Sequence, residues 1–330
     1  MENNQQKQSP RDFLGVCILL SAIIVGGAII YTAEPVATSP SQSTEGESTE
    51  TARTVSVLEA QVLPEAGVEL PVVWDDLGAK LTSVGAIDGE KFRALYRARG
   101  GGFPAEYEKM LSGQSSGKLK ITQDNAGYLL NLFWALGLAS KNPILDSGEM
   151  TYPAYGGAGN FASTGGWTVA LGNPMDHYSR HLFFSLTPEQ QALVDKVSRG
   201  IYRPCCNNST HFPDCNHGMA MLGLLELMAS QGVGEEEMWR TALSVNSYWF
   251  PDNYLTIATH LKNKGVDWSK VNPQEILGLN YSSASGYDKI AAQASAPSSS
   301  GGGSGCGVGA GVSAPAAQVT PSRQSSGCGI

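Results

Sequence analysis

Charge is what this sequence has least of. Only 16% of its 330 residues are Asp, Glu, Lys or Arg, against about 25% in an ordinary soluble domain. Cations are scarcer than anions: 22 Lys and Arg face 30 Asp and Glu, for a formal net charge of −8. A nucleic-acid binder needs clustered Lys and Arg for phosphate contacts, so this balance argues against nucleic acid as a partner. Motifs that would name a reaction are also missing. There is no H-E-x-x-H and no C-x-x-C, and the single G-x-S-x-G match, Gly113 to Gly117, follows a helical pattern where a nucleophile elbow follows a strand. The Gly-rich stretch from Gly156 to Asn160 lacks the Lys-Ser/Thr ending of a phosphate loop. No repeat at solenoid period is present. Location and architecture are therefore legible, and no enzymatic reaction is assigned.

Long apolar runs are few, and the first is the most informative. Phe13 to Tyr31 is nineteen residues without a charge, close to the ~20 that span a hydrocarbon core. It exceeds the ~7–15-residue core of a cleaved signal peptide. Lys7 and Arg11 precede it, and the next cation is Arg53. The positive-inside rule then predicts a cell-membrane protein of bacterial type, with a cytoplasmic N-terminus at 1–12 and a transmembrane signal anchor at 13–31 through which it contacts the membrane. Cys17 lies within that run, so it is not placed as a lipid-anchor cysteine. Residues 32–56 are rich in Ser, Thr, Glu and Pro and lack aromatics after Tyr31, which reads as a disordered spacer. Residues 294–330 are Ser, Gly, Ala and Pro with Cys306 and Cys328 each between glycines, a flexible cysteine-bearing tail by composition.

Between them, residues 57–293 carry helical signals. Asp75 or Asp76, Asp88, Pro104 and Thr122 each precede a helical pattern. Thr187-Pro188-Glu189-Gln190 is a capping box with Pro at the first helical position. The run from Met219 to Ala229 is nearly all apolar, and helical patterns follow from Glu235, Asn253 and Pro273. Strand candidates are VSVLEAQVL, ELPVVW and a hairpin in TGGWTVALG. The expected fold is mainly α: a compact multi-helix extracytoplasmic domain with a small β or loop excursion, preceded by one transmembrane helix.

The chemistry concentrates between two of these helices. Three of the six cysteines and two of the five histidines fall between Cys205 and His217. Thiolate and imidazole are soft or borderline donors suited to zinc and copper(I). Cys205, Cys206, Cys215 and His217 form the candidate metal set, with His211 as a further ligand. His177, four residues before His181, is placed to complete a site from outside the loop. Two alternatives stand beside the metal. Cys205 or Cys206 with Cys215 can form a disulfide, which persists outside the membrane. Cys215 alone can be a reactive thiol, because it sits at the start of an apolar helix whose dipole favours thiolate. Met219, Met221 and Met228 read as core filler, and Glu226 as a satisfied buried carboxylate on the helix face opposite His217.

Two short resemblances bear on the same loop. DCNHGMAMLGLLELMASQGV is similar to the nucleophile helix of transglutaminase-like cysteine enzymes, which implies Cys215 as a catalytic nucleophile. That family places a His and an Asp on following strands, whereas here helical patterns follow and the only later histidine is His260. Pro204-Cys205-Cys206 and Asp214-Cys215 before an apolar helix resemble the PCYCGC motif of small extracytoplasmic bacterial proteins, without its third alternating Cys. That resemblance implies an extracytoplasmic, cysteine-bearing, metal-binding protein.

Overall fold

Residues 57–98 and 102–295 are described by a computed structural model of the chain. The expected anchor at 13–31, the spacer at 32–56 and nearly all of the tail lie outside the described residues. Among the described residues no helix is long and apolar enough to cross a membrane.

Residues 57–62 are helical. β1 (Val68–Val73) follows, then α1 (Leu77–Ser83), α2 (Gly89–Arg97) and α3 (Ala105–Leu111). β2 (Lys118–Ile121) returns antiparallel to β1, pairing Val68 with Ile121 and Glu69 with Lys120. The long helices come next: α4 (Ala126–Ala139), short α5 (Pro143–Ser147), α6 (Pro188–Gly200), α7 (Asn216–Ser230), α8 (Glu235–Trp249) and α9 (Pro251–Asn263). Two four-residue helices, α10 (Pro273–Ile276) and α11 (Leu279–Ser282), lead into α12 (Ala284–Ser295).

The core is organised by α4 and α7, which pack directly on one another. Every residue of α7 except His217 and Ser230 is buried. Such a helix has no polar face to offer water, so it must be covered on all sides. Two glycines set the approach of the pair. A Cβ on Gly223 would lie 2.4 Å from Phe133 O and 2.6 Å from Gly137 N, and one on Gly137 would lie 2.1 Å from Met219 O. The backbones touch where neither residue has a side chain. α6 covers one flank of α7, and α8 touches α4, α6 and α7. At the far end of α7, Gln231 acts as an extra strand residue: its Oε1 accepts from Val73 N at 2.9 Å and its Nε2 donates to Val73 O at 2.8 Å.

The capping signals behave as their chemistry dictates. Asp88 accepts from the N–H groups of Glu90 and Lys91. Thr187 and Gln190 complete the reciprocal capping box at the start of α6. Asn131, the lone polar residue within the apolar stretch of α4, is buried and donates to Tyr96 Oη at 2.7 Å.

Four sequence expectations are corrected, and one strand carries no sequence signal. VSVLEAQVL is helical over its described part rather than a strand. Its buried Leu58, Val62 and Leu63 fall at i, i+4 and i+5, the spacing of a helix face rather than the alternation of a strand. TGGWTVALG forms turns and no hairpin: its first residues turn on themselves, Trp167 N donating to Thr164 O at 3.0 Å, and its later groups reach residues 85–88. Trp167 Nε1 donates to Ala86 O at 2.7 Å, Leu171 N to Gly85 O at 2.9 Å, and Asp88 N to Val169 O at 2.7 Å. The strand KLKI is not signalled by the sequence, since only its partner carries a β-rich run. The helix α4 begins at Ala126, not directly after Thr122: Thr122 and Asn125 hold each other through Thr122 N to Asn125 Oδ1 at 2.8 Å and Asn125 N to Thr122 Oγ1 at 3.3 Å. In addition, α12 runs to Ser295, two residues into the segment read as tail.

Candidate metal centre

The loop between α6 and α7 is built around one buried cation. Arg203 is 1% exposed. Its Nη1 donates to Asn208 O at 2.9 Å and its Nη2 to Phe212 O at 3.2 Å, so one side chain ties both halves of the loop. Nη2 also donates to Asp214 Oδ1 at 2.6 Å, and Nε donates to Cys215 Sγ at 3.0 Å. The loop is pinned from outside too. Ala284 N, at the start of α12, donates to Cys206 O at 2.9 Å, and Ser163 N donates to Asp214 O at 3.1 Å. Ser163 O in turn accepts from Trp134 Nε1 on α4 at 2.6 Å.

This arrangement brings the cysteines together. Cys205 Sγ and Cys215 Sγ are 3.6 Å apart. Two ~2.3 Å metal–sulfur bonds at a tetrahedral angle span about 3.8 Å. A disulfide requires about 2.05 Å, and Cys205, Cys206 and Cys215 are free. Cys205, Cys215 and His217 each offer a donor atom within 4.8 Å of the others, and so do Cys206, Asp214 and Cys215. This Cys/His/Asp group could hold a metal ion. His217 Nδ1 is buried with no hydrogen-bond partner, while its ring packs on Phe250 at 4.3 Å and Trp249 at 5.9 Å. An imidazole held by aromatic faces, with a ring nitrogen within 4.8 Å of two sulfurs, fits a ligand role.

Cys215 is the N-cap of α7, and its sulfur accepts from Gly218 N at 3.4 Å. Hydrogen bonds from Cys205 and then Cys206 hold its thiol well below the ordinary value, against the opposing effect of burial, with the Arg203 charge adding to the lowering. Cys205 is pushed up by its bond with Cys206, then by its bond with Cys215 and by burial. For Cys206, the bond with Cys205 lowers the thiol, but the bond with Cys215 and burial outweigh it and push it up to about 12. The three thiols titrate as a coupled set, in which the surroundings favour the thiolate most at Cys215. Burial raises the Asp214 carboxyl although Arg203 opposes it. Burial also disfavours the Arg203 cation, but the surrounding sulfurs and Asp214 more than reverse that. The centre lines an open cavity of about 560 Å³, with Cys205, Cys206, Asp214 and Cys215 on one side and Trp134 and Phe161 among its other walls.

No family model, no curated protein and no solved structure matches this chain. What the centre can do follows from its own geometry.

Two of the histidines that the sequence offers stand elsewhere. His211 Nε2 pairs with Asp195 Oδ1 of α6 at 2.8 Å, so its imidazole serves the loop-to-helix contact and is in neither donor group. His177 Nε2 bonds to Leu171 O at 2.9 Å and its Nδ1 faces His181 Nε2 at 3.2 Å; it too is in neither group. Both draw notice only because the sequence sets them near the cysteines or at helical spacing. Met219, Met221 and Met228 are buried in the core. Sequence reasoning misses two participants, Arg203 and Asp214. A sequence signal for Arg203 exists: it is the only cation between Arg199 and Arg240, and it stands two residues before a Cys pair.

Proposed function

We propose that this protein is a membrane-anchored, extracytoplasmic metal-binding protein that takes copper(I) or zinc through the loop between α6 and α7. Cys205, Cys215 and His217 supply the first donor set, with Cys206 and Asp214 beside them. The observation that carries the reading is the 3.6 Å separation of Cys205 Sγ and Cys215 Sγ, with a donor nitrogen of His217 in the same triangle. Two sulfurs and an imidazole suit both ions. Metal content and free-thiol count on purified full-length protein test it. Bound metal with Cys205 and Cys215 protected from alkylation is the expected result. Metal-free protein after incubation with either ion overturns it.

A second reading draws on the Arg203 contact to Cys215. A sulfur that accepts from a buried guanidinium at 3.0 Å at the start of a helix is suited to nucleophilic thiol chemistry. Metal-free protein with one fast-alkylating thiol at Cys215 is the result that selects it. The anchoring is tested separately. Protease added outside intact cells should release the domain and leave a short fragment containing residues 13–31. A mature N-terminus near residue 29 overturns the uncleaved anchor.

A further inference from the structure

The cluster contains two donor triangles, and they share one atom. Cys205, Cys215 and His217 form the first; Cys206, Asp214 and Cys215 form the second. Their common member is Cys215 Sγ. We propose that the centre takes two zinc-class divalent ions bridged by the Cys215 thiolate. This deepens the metal-binding reading above and rests on it.

Adjacent cysteines in a turn send their side chains in different directions, and here they serve different triangles. Cys206 N closes a turn on Arg203 O at 3.2 Å, and Cys206 O is held by Ala284 N at 2.9 Å. The backbone is thereby fixed with Cys205 exposed and Cys206 facing Asp214. Cys206 Sγ lies 3.9 Å from Asp214 Oδ1. A zinc–sulfur bond of ~2.3 Å and a zinc–oxygen bond of ~2.0–2.2 Å at a tetrahedral angle span about 3.5 Å, so a small closure of this pair accommodates an ion.

The donor chemistry chooses the class of ion. The first triangle is S, S, N and suits copper(I) or zinc. The second is S, S, O. Its carboxylate is a donor that zinc accepts and copper(I) disfavours, so double occupancy calls for zinc-class ions. Metal binding releases the thiol protons, so three thiolates and one carboxylate then offer four negative charges to two divalent cations.

Metal ligands are commonly oriented by hydrogen bonds from outside the coordination sphere. Both oxygens of Asp214 are held in this way: Oδ1 accepts from Arg203 Nη2 at 2.6 Å and Oδ2 from Asn208 Nδ2 at 2.8 Å. The same guanidinium holds the shared sulfur through Nε at 3.0 Å. One fork therefore sets the distance between the bridging atom and the second triangle's oxygen. Cys205, Cys206, Asp214 and Cys215 all line the same open cavity, so both positions are reached from solvent.

The test is the zinc stoichiometry of reduced, full-length protein, measured by metal analysis after equilibration with zinc chloride against a competing chelator. Two tightly held ions per chain are expected. The doubly substituted Cys306→Ser/Cys328→Ser protein should keep both, which excludes the tail thiols as the source. Cys206→Ser should retain one ion, and Cys215→Ser should retain neither. One ion in the unaltered protein overturns the two-ion centre and leaves the metal-binding reading standing. No ion overturns both. Two ions that persist in Cys206→Ser also overturn it. Cobalt(II) gives a readout independent of any variant. Two cobalt ions bridged by one thiolate are spin-coupled, so the paramagnetic signal should fall below that of two separate ions. An uncoupled full-intensity signal at two ions per chain overturns the bridge.

Discussion

Arg203 Nε donates to Cys215 Sγ across 3.0 Å, and the contact exists because residue 218 has no side chain. A Cβ at Gly218 would lie 2.4 Å from Arg203 Nη2. The first turn of α7 is therefore open on the side where the guanidinium enters. That opening lets a buried cation sit under a helix N-terminus, a place where the helix dipole alone would repel it. The thiolate on Cys215 and the Asp214 carboxylate outweigh that repulsion.

Gly218→Ala should displace the guanidinium. The head group is the flexible end of its side chain, but its bonds to Asn208, Phe212, Asp214 and Cys215 leave it nowhere to go without losing partners. We expect a loss of about 1–3 kcal/mol from overpacking and a ~10–100-fold weaker zinc affinity, the usual effect of disturbing groups that orient ligands. Urea unfolding and chelator competition measure the two effects. Unchanged affinity in a folded Gly218→Ala protein would show that Arg203 does not position the sulfur.

Arg203→Met should cost about 3 kcal/mol of stability, since it strips partners from Asp214 and from two loop carbonyls. Arg203→Lys should not restore it, because an ammonium cannot reproduce the fork that bonds four acceptors at once. Denaturant midpoints of the two variants decide this; a lysine variant as stable as the parent contradicts it.

Glu226, buried in α7 and bonded by Asn142 Nδ2 at 2.6 Å, should make stability pH-dependent. Burial pushes its carboxyl up to about 8 from 4.5. A raised carboxyl favours the folded state fully below the unfolded value of about 4.5, and that contribution is lost as pH rises toward 8. Glu226→Gln keeps the acceptor for Asn142 and removes the proton. It should match the parent at pH 4 and exceed it by about 3 kcal/mol at pH 7, at ~1.4 kcal/mol per pH unit. Unfolding curves at both pH values provide the comparison, and an equal difference at the two would refute the assignment.

Gly223→Ala should separate the central helices. The added methyl meets backbone atoms of Phe133 and Gly137 that cannot rotate away. The cost should reach ~3 kcal/mol, which lowers the melting temperature by about 6–12 °C in a domain of this size. Calorimetry on the two proteins tests it; a melting temperature within 2 °C of the parent is incompatible with direct backbone contact.

Capping residues such as Asp88, Thr187 and Asn272 announce their helices in the sequence alone, because a cap acts within four residues of itself. The apolar run after Met219, interrupted only by Glu226, announces a helix covered on all sides. The density of cysteine and histidine between residues 205 and 217 announces the centre, since a short loop keeps its donors near one another whatever the fold. Sequence places His217 in the first donor set and leaves open whether His211 and His177 join it. His211 lies inside the loop and pairs with Asp195 of α6 instead; His177 has helical spacing to His181 and bonds within its own segment. The wall that holds the His217 ring, Trp249 and Phe250, arrives from the end of α8 and is set by packing alone. The roles of Arg203 and Asp214, the pairing of β1 with β2, and the glycine contact between α4 and α7 likewise depend on how the chain folds back on itself. Local rules fix what each segment offers. Only packing decides which offers are taken up, because the distance between two side chains on different elements is set by the core between them.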